Sequence, residues 1–252
     1  MENDAIEYNI AEPAAALSDF VESIWMLKNK RPDEKEITLL PDGRFDIIFS
    51  YAKNEPFHAT LKGLETKSGQ AFIPGGTVMF AVSFKLLAIE YLLNFTVASA
   101  INDGQHLPTG FWGITMSDLS DFEIFCQKIT AAMTSLIKPA IDNRKKELFN
   151  LIYATNGSMP VNELSERVFW SSRQINRYFN QQFGIPLKSY CNILRFRASL
   201  EQIKEGKFFP EQDFADQNHF IKEIKKFSGV VPKELHKNQN GRFILFSTPT
   251  KK

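Results

Sequence analysis

Arg173, Asn176, Arg177 and Asn180 follow one another at spacings of three, one and three residues, with Ser172 just ahead of them. Residues three and four apart share one face of a helix, so these side chains would project together. Arginine can pair in bidentate fashion with guanine, and asparagine with adenine. Such a face has the chemistry to read base edges in a major groove as well as to hold phosphates. Any amphipathic helix can carry Arg and Asn on its outside, so the surrounding elements must decide whether this one is a reader.

Those elements suit the task. Ser171 can cap the segment SSRQINRYFNQQFG, and Gln174 three residues later completes a capping box. Ile175, Phe179 and Phe183 line its other side. Upstream, SMPVNELSERV predicts a short helix over 161–168 with Val161, Leu164 and Val168 on one face. Two such helices joined by a short turn make a helix-turn-helix. Packing through Leu164, Val168 and Ile175 would leave the N-terminal outer face of the second helix free to enter a groove. IPLKSYCNILRFRASLEQIKEG then reads as one long helix ending at Gly206.

Charge supports a polyanionic partner. The net charge of +1 over 252 residues hides a split: residues 1–143 hold 11 Lys/Arg against 19 Asp/Glu, and residues 144–252 hold 19 against 10. A basic half suggests contact with nucleic acid. The N-terminus, MENDAIEYNI, is acidic and polar, unlike a signal peptide. Lys85 and Glu90 interrupt the longest apolar stretch, which argues against a membrane span. Cys126 and Cys191 lie far apart and form no CxxC, so neither a disulfide framework nor a zinc site is expected, and a reducing cytoplasm fits.

Other chemistries find little support. His219 has no Cys or second His at ligand spacing and reads as a helix-face residue. Asp42 and Asp46 could be paired carboxylates, but a turn-former and a solvated strand residue explain them more simply. Gly75-Gly76 lacks the Lys and following helix of a phosphate loop. With no nucleophile–base pair, metal cluster or cofactor motif, an enzyme is not expected.

The first hundred or so residues read as short strands. EITLLPDGRFDIIFSY places a Pro41-Asp42-Gly43 turn between two apolar runs, and Gly63, Gly69 and Pro74-Gly75-Gly76 punctuate the next segment. LLAIEYLLNF fits strand or helix equally. SDLSDFEIFCQKITAAMTSLIK predicts a helix over 117–138, with Phe122, Phe125, Ile129, Met133 and Leu136 on one face. A second helix over 141–155 should end at Asn156-Gly157. GRFILFSTPTKK contains a strand-like run that could pair with a sheet edge.

SSRQINRYFNQQFGIPLKSYCNILRFRASL and DFADQNHFIKEIKKFSGVVPKEL resemble the DNA-binding domain of the AraC/XylS family of bacterial transcription regulators. The second stretch, with Asp216-Gln217, His219-Phe220-Ile221 and Phe227-Ser228-Gly229 before Pro232, is quite specific for that family. The resemblance implies two helix-turn-helix units joined by a long helix, placed in adjacent major-groove segments. It assigns DNA contacts to Arg173, Asn176 and Arg177 in the first unit and to Gln217, Asn218 and Lys222 in the second. A shift of 45 residues sets Ile175 on Phe220, Phe179 on Ile224, Arg177 on Lys222 and Gly184 on Gly229. The N-terminal half more weakly resembles the family's regulatory domains, many of them cupin-like small barrels. Its interior, lined by Trp25, Phe45, Phe49 and Phe72, could hold a small effector or simply be filled by those side chains. The resemblance also implies that the helix at 117–138 is the dimerisation surface, since such regulators commonly pair through helices there, unless its apolar face packs within the protomer.

The second unit departs from the pattern. Only KFFPEQDFA separates Gly206 from Asp216, with Pro210 at its centre. Proline removes a helix hydrogen bond and disfavours helix in the residue before it. The first helix of this unit should therefore be absent or a single turn, with Phe208, Phe209 and Phe214 plugging the space.

The expected class is α+β: a β-rich, cupin-like domain over 1–115, a helical connector over 116–140, an all-α reader over 141–240 and a tail over 241–252. The expected function is a cytoplasmic, dimeric, sequence-specific regulator that binds double-stranded DNA under control of an unknown effector, and meets RNA polymerase if it activates. The alternative is a protein-interaction or structural module whose fold no longer reads DNA.

Overall fold

The computed structural model describes residues 6–93, 95–211, 214–238 and 241–243. Alternating apolar and polar side chains set the first half into strands: β1 (Ile6–Ala11), β2 (Val21–Asn29), β3 (Lys35–Leu39), β4 (Phe45–Ala52), β5 (Glu55–Lys62), β6 (Gly69–Ile73), β7 (Val78–Phe84) and β8 (Gly104–His106). Six form an antiparallel sheet in the order β1-β2-β7-β4-β5-β8, while β3 and β6 pair apart as a two-stranded antiparallel sheet. The runs on either side of Pro41-Asp42-Gly43 thus enter different sheets.

The two faces of the large sheet have different neighbours. Phe45, Ile47 and Phe49 of β4, with Phe80, Val82 and Phe84 of β7, form one core with helix α1 (Phe122–Leu136). Phe125 of α1 meets Phe80 and Phe49 edge-on, with ring centres 5.2 and 5.8 Å apart. The other face carries Trp25, Asp46, Ile48 and Met79 toward the small sheet, where Leu27, Ile37 and Ile73 make a second, smaller core.

The helix expected over 117–138 begins instead with a 3-10 turn, Met116–Ser120. Asp121 then caps α1 by accepting from the amides of Glu123 and Ile124. Phe125, Ile129 and Met133 are buried in the protomer's own core, while Ile124 and Leu136 stay exposed. LLAIEYLLNF resolves as one π-helical turn, Ile89–Leu93.

An all-helical region follows: α2 (Asn143–Ala154), α3 (Val161–Arg167), α4 (Ser172–Phe183), α5 (Leu187–Lys204), α6 (Gln217–Ser228) and α7 (Pro232–Lys237). The chain is therefore α+β, an antiparallel sheet region followed by helices. Gly157, left-handed at φ 71°, ends the α2 turn where any Cβ would lie 2.6 Å from the Cys191 carbonyl oxygen of α5. Only glycine permits that approach. The 18 residues of α5 span about 27 Å at ~1.5 Å each.

No helix lies between α5 and α6 among the described residues. Phe208 packs on His236 and Phe214 on Phe220, with ring centres 5.5 and 5.2 Å apart. Phe209, expected to be a third plug, is 68% exposed. Its carbonyl docks rather than its ring: buried Gln202 of α5 donates to Phe209 O at 2.6 Å and accepts from the Glu211 amide at 3.2 Å. One side-chain amide thus supplies backbone hydrogen bonds that a helix would have made internally. Farther on, the Thr38 amide of β3 donates to Arg242 O at 2.7 Å, and Thr38 and Phe243 form an isolated parallel bridge. The rest of the strand-like tail lies outside the described residues. Among those residues no helix is long and apolar enough to cross a membrane.

One apolar cluster runs from Leu17 to Phe243, so the sheet region and the helices share a core.

Candidate functional site

α4 starts as its sequence dictates. Ser171 Oγ accepts the Gln174 amide at 3.3 Å, and Gln174 Oε1 accepts the Ser171 amide at 3.0 Å. Ile175, Tyr178, Phe179 and Phe183 are buried in the same cluster as Leu164 and Val168 from α3. Arg173, Arg177 and Asn180 are exposed on the outer side, with Ser172 and Asn176 half-buried. Neither arginine has an ion-pair partner among the described residues. Asn176 Nδ2 donates to Ser172 O at 3.0 Å and Asn180 Nδ2 to Asn176 O at 2.9 Å. A bidentate contact with adenine would have to displace these back-bonds. In the turn before α4, Phe169 is left-handed (φ 52°) and exposed, while Trp170 turns inward against Tyr178 at 5.2 Å.

α6 repeats the form. Asp216 caps it by accepting the His219 amide at 2.8 Å, and Phe220, Ile224 and Phe227 are buried. Gly229 (φ 79°) closes it as Gly184 (φ 72°) closes α4. Gln217, Asn218 and Lys222 are exposed, and Lys222 has no ion-pair partner among the described residues. His219 Nδ1 accepts the Ala215 amide at 3.3 Å, a bond that holds the entry to the helix. Burial pushes the thiols of both Cys126 and Cys191 up to about 11, which makes them poor nucleophiles.

Between the two sheets and α5 lies a cavity of about 910 Å³. Trp25 and Phe72 line it; Phe45 and Phe49, named with them from the sequence, point to the opposite face and are fully buried in the core. The alternation along β4 separates them: even-numbered Asp46 and Ile48 face the cavity, odd-numbered residues the core. Asp46 is thus no solvated strand residue. It faces the cavity, accepts a hydrogen bond from Ser83 Oγ, which itself accepts from Trp25 Nε1 at 3.0 Å, and is pushed up to about 7 by burial and by Asp42.

A polar seam joins the cavity's rim to the helices. Glu22 of β2 takes Arg44 Nη2 at 3.1 Å on one oxygen and Arg197 Nη2 of α5 at 2.9 Å on the other. Burial alone would raise this carboxyl; the two guanidiniums and the Arg197 hydrogen bond outweigh it and hold it down at about 2. Arg44 is buried, its guanidinium 4.8 Å from the Tyr153 ring centre, and Tyr190 Oη of α5 donates to Gly43 O at 3.0 Å. Arg44 Nε has no partner among the described residues. A second tie holds α4 itself: Tyr178 Oη donates to Glu90 Oε2 at 2.5 Å, and Lys145 Nζ lies 2.6 Å from Glu90 Oε1. Sequence reasoning missed Glu22, Arg44, Glu90, Arg197 and Gln202. For Glu90 a signal existed, a lone charge inside an apolar run.

A family described as a domain of unknown function (DUF6597) matches residues 9–108. No curated protein matches the chain. Among solved structures, the C-terminal domain of the two-component response regulator yesN from Fusobacterium nucleatum is similar at 25% identity over 38% of this chain and 99% of that one, with a TM-score of 0.33. ToxT from Vibrio cholerae O395 is similar over 95% of this chain and 100% of its own, at 11% identity and a TM-score of 0.45. Wild-type ToxT with a bound unsaturated fatty acid is similar over 96% of this chain and 98% of its own, at 13% identity and a TM-score of 0.41.

Proposed function

We propose that the protein is a sequence-specific DNA-binding regulator of the AraC type, working in the cytoplasm. Residues 141–240 form the reader, 116–140 a connector and 1–115 the effector or dimerisation domain. The observation that carries this reading is the outer face of α4, where Arg173 and Arg177 stand exposed without an acidic partner among the described residues, on a helix capped at its N-terminus and backed by α3. In the groove Arg173, Asn176 and Arg177 contact base edges, and Ser172 and Asn180 the flanking backbone. α6 lies at the far end of α5, and about 27 Å is within reach of the next groove segment, one turn or roughly 34 Å along. Gln217, Asn218 and Lys222 make its contacts. Because the second unit is positioned by a loop, α6 contributes less specificity than α4.

Genome-wide mapping of bound sites supplies the operator, and fluorescence anisotropy on that site and on a scrambled duplex tests the reading. Arg177→Ala should weaken operator binding by about 1–3 kcal/mol and scrambled binding less. Equal wild-type affinity for the two duplexes overturns base reading. Binding that does not fall with salt points instead to a protein-interaction module.

A further inference from the structure

The charges around the cavity are unevenly matched. Each cation in its wall already meets an acceptor: Arg44 and Arg197 share Glu22, Lys62 Nζ lies 2.5 Å from Glu65, Lys85 Nζ donates to Ser18 O at 2.7 Å, and Lys204 lies 3.9 Å from Glu201. Asp46 of β4 and Asp42 in the turn before it form no ion pair of their own among the described residues. Asp46 accepts from the neutral Ser83 hydroxyl, which in turn accepts from Trp25 Nε1 at 3.0 Å, and Asp42 accepts the Arg44 amide at 2.9 Å. Lys62 acts on Asp46 from a distance but is engaged with Glu65. Beside Asp46 the wall is aromatic and aliphatic, with Tyr8 stacked on Trp25 at 6.3 Å and Leu27, Ile37 and Met79 nearby.

We propose that this cavity binds an amphipathic cation, an organic amine with an apolar body, whose ammonium group meets the Asp46 carboxylate while its body lies against Trp25, Tyr8 and the small sheet. An ammonium supplies the direct ion-pair contact that Asp46 lacks among the described residues, where Arg44 and Lys62 act on Asp42 and Asp46 only from a distance, and the aromatic faces favour a cation beside them. The raised proton affinity of Asp46 agrees, since desolvation and the neighbouring Asp42 outweigh the Ser83 bond and the distant Lys62. An anionic head finds the wall's cations already paired and two carboxylates in its way. The inference rests on the cavity alone and holds whether or not α4 reads bases.

Isothermal titration of the full chain at pH 8 with 4-phenylbutylamine, 4-phenylbutanol and 4-phenylbutyrate compares three head charges on one body. The amine should bind at least about tenfold tighter than the alcohol, the range of one desolvated charge-assisted contact, with the butyrate weakest. Asp46→Asn should bring the amine and alcohol to similar affinities while alcohol binding persists, which shows that the variant is folded. The wild-type ranking is decisive even if that variant does not fold. The proposal is overturned if the butyrate binds as tightly as the amine, if none of the three binds, or if Asp46→Asn leaves the amine's advantage unchanged. Because no DNA is present, none of these outcomes bears on base reading.

Discussion

Glu22→Gln is the sharpest perturbation of the seam between sheet and helices. The substitution keeps the shape of the side chain and removes its charge, leaving Arg44, 5% exposed in its side chain, without a carboxylate partner. Two routes give the magnitude. Holding a carboxyl at about 2 rather than its ordinary 4.5 corresponds to about 3 kcal/mol at ~1.36 kcal/mol per pK unit. Breaking a buried ion pair by removing one partner costs roughly 3–5 kcal/mol. Glu22 is 19% exposed in its side chain, so solvent screening takes little from either figure. Of a total stability of about 5–15 kcal/mol, such a loss would lower the melting temperature by about 6–12 °C for a chain of this size. The sign with pH follows from the depressed value: the stabilisation is complete above pH 4.5 and is lost as the pH falls toward 2. Urea unfolding of wild type and variant at pH 7 and pH 3 measures it. The gap should be about 3 kcal/mol at pH 7 and less than half that at pH 3, where the unfolded wild-type carboxyl is already protonated. A gap below about 1 kcal/mol at pH 7, or one undiminished at pH 3, refutes the argument.

Lys222→Ala should weaken operator binding less than Arg177→Ala in the same anisotropy titration, since a loop rather than a helix backs α6; the reverse order contradicts a degenerate second unit. Gln202→Ala leaves Phe209 O and the Glu211 amide without their partner, at a cost of about 1–3 kcal/mol, and proteolysis should cut first near Pro210. Asp46 is raised, not lowered, so its ionisation opposes folding as the pH climbs from 3.8 to about 7. Asp46→Asn should therefore be near neutral for stability at pH 4 and most stabilising at pH 8, as read from urea midpoints without ligand.

Where local chemistry determines conformation, the sequence was a good guide. The Ser171–Gln174 capping box, the Asp216 cap and the glycines closing α4 and α6 formed as their types require, and Pro210 suppressed a helix as its ring dictates. What stayed hidden depended on partners distant along the chain. Phe45 and Phe49 look like pocket residues beside Trp25 until the pleat of β4 assigns them to the other face. Asp46 looks solvated until β3 and β6 cross in front of it. Gln202 sits in a helix with nothing local to mark it, because its purpose is set by a loop that lacks its own helix.

The seam also constrains descent. A Cβ on Gly43 would lie 2.8 Å from Leu194 Cδ2 and 3.2 Å from Tyr190 Cε2, at φ 74°. Sheet positions 22, 43 and 44 and helix positions 153, 190, 194 and 197 should therefore covary among relatives as one block. A lineage that exchanged its sheet domain for another would have to rewrite the inner face of α5 at the same time. The helical region is thus poorly suited to being passed between proteins as an interchangeable cassette.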